Sequence, residues 1–335
     1  MAGRINYAPL AEQNKYSRTW TMTRPTGFPD FFVVGAPRCG TTSLCRFFDK
    51  NPQICFSRPK EPHYFAQLRS MPSPDELQRD YIERYFGHRH GAHRAVGEGS
   101  VSYLYAPEAI ERIRHFNPEA RFIVMVRNPM SMLPSYHLKM RFLLQEDQED
   151  FSSAWRLQEA RARGDNLPAH CLEPRTLMYG EVARYGAHIE RLFAIAGRER
   201  THVVVFDDFV ADQPATYRRA LEFLRVDDDG RTVFKRRYES RIYRYRWLQE
   251  LFFLPVARGA RIDTGRRAAR KDKQAGPNKP SWIKRLADWN TVSASPRPLT
   301  PEMRAVVADG LRADNALLSR LLQRDLSFWL TGATQ

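Results

Sequence analysis

No apolar run in this chain is long enough to span a bilayer. The longest, Leu251 to Ala257, falls far short of the roughly 20 residues a membrane helix needs. The stretch from Met1 to Pro29 is polar and has no apolar core, so a secretory leader is not expected. Cysteine is scarce as well. Cys39, Cys45, Cys55 and Cys171 form no CxxC pair and no zinc-ligand spacing, which argues against a disulfide framework and for reduced thiols. Together these absences lead to the expectation of a soluble cytoplasmic protein. What is there suffices for a large core: 335 residues, 42% hydrophobic and 27% charged, without internal repeats.

Charge is in excess of one sign, and in one place. The net charge is +15, yet 17 Lys/Arg against 5 Asp/Glu fall between Arg231 and Asn290, leaving the rest nearly balanced. A concentrated basic segment points to an anionic partner: nucleotide, acidic polymer, lipid surface or nucleic acid. The bland alternative, a solvated basic loop, is the better reading for any single Lys or Arg there. Arg266, Arg267, Arg270, Lys271 and Lys273 are expected to form a mobile cover near an anionic ligand.

Short apolar runs alternate with helical patterns. Strands are expected at Phe31 to Val34, Gln53 to Phe56, Ala95 to Glu98, Phe122 to Val126 and His202 to Phe206. Helices are expected at Thr41 to Phe48, Pro107 to Phe116, Pro129 to Phe142, Leu177 to Ala196, Pro214 to Leu224 and Pro301 to Gln323. Gln145 to Asn166 reads as a polar helical insertion. This alternation predicts an α/β fold, a central parallel sheet flanked by helices on both faces, with ligands at the carboxyl ends of its strands. We divide the chain into a polar segment (1–29), a core (30–230) and a basic loop region with a closing helix (231–335) that completes the same domain.

Gly35-Ala36-Pro37-Arg38-Cys39-Gly40-Thr41-Thr42-Ser43 joins the first strand to the first helix. Glycines allow close approach of the backbone, the free N–H groups at the helix start attract an anion, and Arg38 adds a positive charge. The hydroxyls of Thr41, Thr42 and Ser43 add donors. A nucleoside-triphosphate loop would carry Lys after its second glycine; here Gly40 is followed by Thr41. A second element follows the fourth strand: Arg127, at the start of Arg-Asn-Pro, with Ser135 eight residues later, spaced to hold one phosphate together.

The two elements, in this order, resemble the 5′-phosphosulfate loop and the 3′-phosphate motif of sulfotransferases that use 3′-phosphoadenosine-5′-phosphosulfate (PAPS). The resemblance extends from about Asp30 to Val226, through Gly97-Glu98-Gly99-Ser100 and Val203 to Asp208. It implies a P-loop-type sheet and PAPS as co-substrate, with no metal. Contacts to PAPS are implied for Arg38, Cys39, Gly40, Thr41, Thr42, Ser43, Arg127 and Ser135. The family often has Lys where this chain has Arg38, which replaces a point charge by a planar fork.

Lys60-Glu61-Pro62-His63-Tyr64-Phe65 is similar to the segment that supplies the catalytic glutamate in heparan-type and related carbohydrate sulfotransferases. The resemblance implies Glu61 as general base, Lys60 and Arg38 as charge stabilisers, and His63 as alternative base or positioner. The implied acceptor is a hydroxyl of a glycan or glycosylated metabolite. Two departures concern acceptor handling: Ala66 where the pattern often has Asp, and Gly99 where it often has Lys.

Two other readings stay open. Val203 to Phe206 followed by Asp207-Asp208 could serve a P-loop kinase or NTPase. The basic segment, with Tyr243, Tyr245, Trp247, Phe252 and Phe253 among Arg241, Arg244, Arg246 and Arg258, could serve nucleic acid or a membrane surface. A nucleic-acid partner is not expected, peripheral membrane contact stays open, and an amphipathic helix packed on the core is the preferred reading of these aromatics. Nothing in the chain sets an oligomeric state.

Overall fold

The computed structural model describes residues 24–234, 240–251 and 281–331. Five strands, β1 (Phe31–Gly35), β2 (Ile54–Phe56), β3 (Ala95–Gly99), β4 (Arg121–Val126) and β5 (Thr201–Val205), form one wholly parallel sheet in the order β2-β3-β1-β4-β5. Helices flank it, so the chain adopts the expected α/β architecture. β1 is buried along its whole length, as a central strand covered on both faces must be. Its successive side chains serve opposite layers. Phe31 meets Phe48 of the helix Thr41–Asp49 edge-on at 5.2 Å, whereas Phe32 stacks on Phe122 of β4 at 5.9 Å.

The strand order sets β1 between β3 and β4, and the chain crosses over β1 after β3. The carboxyl ends of these strands therefore meet at a switch point, the place where parallel sheets take ligands. There the β1–β4 ladder shifts register between Val33 and Gly35, and the Ala36 N–H donates to the Met125 carbonyl (2.7 Å). The irregularity turns the chain out of the sheet into the loop that follows.

Helices Pro107–Phe116, Pro129–Phe142, Gln213–Leu224 and Pro301–Leu322 lie where the periodicity puts them. The insertion after Gln145 folds as two short helices, Phe151–Arg156 and Gln158–Ala162. They are held by the fully buried Arg161, whose guanidinium donates to both oxygens of Glu146 at 2.7 Å. Leu177 to Ala196 is not one helix. Tyr185–Ala196 starts afresh after Tyr179–Val182 because Asp314, from the closing helix, accepts the N–H groups of Gly186 (2.9 Å) and Ala187 (2.8 Å).

The largest difference from expectation lies beyond Gly230. Where no regular structure is expected before Pro301, β6 (Arg241–Tyr243) and β7 (Thr291–Ser293) pair antiparallel, and β7 directly follows the helix Ser281–Asn290. β6 packs on Pro129–Phe142, which carries this ribbon to the carboxyl edge of the main sheet. Two three-residue strands far apart in sequence leave no local periodicity to read. Arg266, Arg267, Arg270, Lys271 and Lys273 lie outside the described residues, as do Phe252, Phe253 and Arg258. No helix among the described residues is long and apolar enough to cross a membrane.

Candidate active site

The loop after β1 is shaped by glycine. Gly40 has φ 90°, and a Cβ there would meet the Phe206 ring at 3.0 Å. The helix Thr41–Asp49 opens at this residue without a side-chain cap, so the N–H groups of its first turn and the positive end of its dipole are offered at the sheet edge. Thr42 and Ser43 are half-buried there, and Thr41 is buried. Cys39, a small residue of this loop, turns its side chain inward. It is fully buried, its Sγ lies 3.4 Å from the Pro37 carbonyl and 3.6 Å from the Tyr185 hydroxyl, and burial pushes the thiol up to about 12. Only its backbone can serve an anion.

Arg38 and Arg127 come from the ends of adjacent strands and converge on one cavity of about 470 Å³ that Ser135 also lines. The Arg38 Nε donates to Ser135 Oγ at 2.8 Å, and a terminal nitrogen donates to Ser240 Oγ at 2.6 Å. Arg127 donates to Ser131 Oγ (3.0 Å) and to the Arg38 carbonyl (3.3 Å), with its guanidinium over the Phe206 ring at 4.6 Å. The expected Arg127–Ser135 pair is thus joined through the cavity, and the direct bond of Ser135 is to Arg38. Burial, together with the neighbouring Arg127 charge, holds the Arg38 pKa below its ordinary value. Neither guanidinium forms an ion pair among the described residues. Two half-buried like charges facing one cavity make a site for an anion.

Lys60, Glu61 and His63 follow β2 and sit against the end of β3. The Glu61 N–H donates to the Gly99 carbonyl (3.0 Å) and the His63 N–H to Ser100 Oγ (2.9 Å). These bonds hold Glu61 and His63 at φ 65° and 54°, a left-handed conformation that Arg38 shares at 63°. Such backbone costs roughly 1–3 kcal/mol per residue and persists where the surroundings over-determine it. Lys60 Nζ donates to Glu61 Oε1; the other Glu61 oxygen is 3.8 Å from His63 Nε2, and His63 Nδ1 pairs with Ser102 Oγ at 2.7 Å. Burial pushes the Glu61 carboxyl up, but the Lys60 charge and hydrogen bond, with His63 and Lys139, bring it below the usual range. Burial and Lys60 hold His63 low against the pull of Glu61. Near neutral pH the result is an ionised carboxylate beside a neutral imidazole.

Several residues here have no signal in local sequence. Lys139 lies one turn beyond Ser135 on the same helix face; burial and Arg38 lower its pKa while Glu61 raises it. Only its i+4 spacing from Ser135 could have marked it. Glu98, inside β3, is fully buried and accepts from the Tyr81 and Tyr103 hydroxyls (3.2 Å for the latter); burial pushes it up to about 7. Ser240, Ser293 and Ser295 reach the cavity from the ribbon. Gly99 has a packing reason, since a Cβ would meet Cys45 Sγ at 2.7 Å. Asp207 and Asp208 are engaged elsewhere, accepting from the Trp329 indole (3.2 Å) and Arg324 (2.6 Å). A further hollow of about 430 Å³ runs along the outer edge of β5, but its Arg324 pairs with Asp208 and its Arg198 covers the Phe193 ring.

Comparison with known proteins points the same way. The family model described as "Sulfotransferase family" matches residues 74–230. Carbohydrate sulfotransferase 15 of Mus musculus is 23% identical over 246 residues, 59% of this chain and 44% of that protein. Bifunctional heparan sulfate N-deacetylase/N-sulfotransferase 3, also from Mus musculus, is 25% identical over 183 residues, 49% of this chain and 18% of the relative. The chain thus spans less than half the length of these relatives. Among solved structures, a sulfotransferase from Alicyclobacillus acidocaldarius superposes with TM-score 0.61 at 24% identity, covering 90% of this chain and 98% of that one, which matches the fold. Over residues 74–230 the chain is thus similar to the sulfotransferase family, and the strand order, the uncapped helix behind Gly40 and the paired guanidiniums accompany that match.

Proposed function

We propose that the protein transfers a sulfuryl group from PAPS to a hydroxyl of a glycan or glycosylated metabolite. The observation that carries this reading is the convergence of Arg38 and Arg127, from two adjacent strand ends, on a cavity where neither has a carboxylate partner among the described residues. The donor set fits a nucleotide with two separate anionic groups. Arg127 and Ser135 would hold the 3′-phosphate, and Arg38 with the N–H groups from Cys39 to Thr42 and the Ser43 hydroxyl would hold the 5′-phosphosulfate. The acceptor oxygen attacks sulfur, the bond from sulfur to the bridging phosphate oxygen breaks, and the hydroxyl proton passes to Glu61. Arg38 and Lys60 offset the charge that builds on the leaving phosphate. Glu61 is suited to the task because it is ionised near neutral pH. His63, bonded to Ser102, fits a positioning role. The carbohydrate relatives support a glycan acceptor, and four buried cysteines that form no disulfide support a reducing, cytoplasmic setting.

Titration calorimetry tests the reading. Adenosine 3′,5′-bisphosphate should bind tightly without magnesium and far better than ATP, because cationic side chains and N–H groups do the neutralising. Tight binding of magnesium-ATP with none of the bisphosphate would overturn it in favour of a kinase or NTPase.

A further inference from the structure

Of the large apolar side chains exposed in the excursion beyond Gly230, five lie on or beside its two helices. Trp247 is 65% exposed, Trp282 62%, Leu251 61%, Trp289 50% and Tyr245 48%. They are not loose ends. In the helical stretch 246–251, Leu248 and Gln249 are buried and face the core, while Trp247 and Leu251, four residues apart, share the outward face. In the helix Ser281–Asn290, Trp282 and Trp289 share one face with the exposed Arg285. The two helices are tied together at the fully buried Asn290, whose side chain accepts from the Tyr245 N–H (2.9 Å) and donates to Gln249 (3.4 Å). Tyr245 stacks on Trp289 at 5.8 Å, and Arg244 lies over the same ring at 5.4 Å. The stretch packs on the core through Leu248 and Gln249, while Tyr245 and Trp247, two of the aromatics the sequence reading placed in a core-packed amphipathic helix, are exposed.

An ordered apolar surface this exposed calls for a partner, and the charge around it selects which one. Among the described residues the exposed Arg241, Arg244, Arg246 and Arg285 outnumber Glu250 and Asp288 around it. That excess repels a second copy of the same surface. A soluble polyanion would use the charge but would leave Trp247, Leu251 and Trp282 in water. Indoles and leucine among arginines match the headgroup region of a bilayer, where the apolar part enters the acyl boundary and the cations meet anionic lipid. We infer that the two faces bearing Trp247, Leu251, Trp282 and Trp289 dock the protein on an anionic membrane surface. This is independent of the reaction proposed above, since none of these side chains lines the Arg38–Arg127 cavity.

Vesicle flotation of the full chain tests it, with phosphatidylcholine vesicles against vesicles that also contain phosphatidylserine. The protein should float with the anionic vesicles, float weakly with the neutral ones, and lose partitioning as salt is raised. Its tryptophan emission should shift to the blue on binding. W247S/W282S should lower partitioning by roughly tenfold or more while the melting temperature and bisphosphate binding stay unchanged. Several results would overturn the inference: no flotation with anionic vesicles, equal flotation of both proteins, or no emission shift in the wild type. So would a dimer in sedimentation equilibrium that the double variant dissolves, or tight dextran sulfate binding that the double variant weakens equally.

Discussion

The carboxyl edge of the sheet and the excursion beyond Gly230 are both rich in arginine, and they use it in opposite ways. At the sheet edge Arg38 and Arg127 are half-buried, turned toward each other's loop, and satisfied by hydroxyls and a carbonyl. In the excursion Arg246 pairs with Glu250 (2.9 Å) and Arg244 lies at the surface over Trp289. The apolar residues reverse as well. Those of β1 are wholly buried, whereas Trp247 and Trp282 face solvent. A cation that is buried and unpaired marks a site for a discrete anion; one that is exposed beside indoles marks a surface.

If the edge is the reactive region, the largest effect belongs to Glu61. Glu61→Gln keeps the shape and removes the base, so turnover should fall by about 10²–10⁴ while bisphosphate affinity is retained. His63→Asn should cost less. The pH profile separates the two. With its folded pKa below the ordinary 4.5, Glu61 stays ionised as pH falls through the mildly acidic range, and the rate should decline only below that. An acidic limb above the carboxylate range and below the ordinary histidine value of 6.5, present in wild type and abolished in His63→Asn, would transfer the base to the imidazole.

Arg127 comes next. Arg127→Ala should weaken PAPS binding by about 1.5–3 kcal/mol, roughly ten- to a hundredfold, and leave adenosine 5′-phosphosulfate, which lacks the 3′-phosphate, nearly unchanged. Equal weakening of both nucleotides in competition binding would assign Arg127 to the loop rather than to the 3′-phosphate.

The same two regions differ in how far they can be read from sequence. The sheet edge was legible because β-strand burial, a glycine turn and a helix start are local, and each leaves its mark within ten residues or so. Arg38, Glu61, Arg127 and Ser135 could all be named on that basis and by resemblance. The ribbon was not legible, since β6 and β7 are three residues each and find one another across the basic segment. Lys139 and Glu98 escaped for another reason: a lysine in a helix and a glutamate in a strand are ordinary until their surroundings are known. The inward turn of the Cys39 thiol was not legible either, because a loop residue's direction depends on Tyr185, which lies far along the chain.

The smallest effect probes the junction of the two regions, the bond from Arg38 to Ser240 Oγ. Ser240 stands immediately before β6, and its carbonyl accepts the N–H of Ala294 (2.8 Å), just past β7. The residue thus ties the loop that would bind the phosphosulfate to both strands of the ribbon. Ser240→Ala removes a hydroxyl that accepts from a charged donor but leaves Arg38 its bond to Ser135, so the loss should be near 1 kcal/mol. Bisphosphate affinity should fall by only a fewfold. Amide hydrogen exchange at Arg241 to Tyr243 should rise by more than at β4, because β6 has fewer partners than a central strand. If exchange rises equally in both, the ribbon is continuous with the core and the two regions are one. If neither affinity nor exchange changes, the Arg38–Ser240 bond contributes nothing to holding the two together.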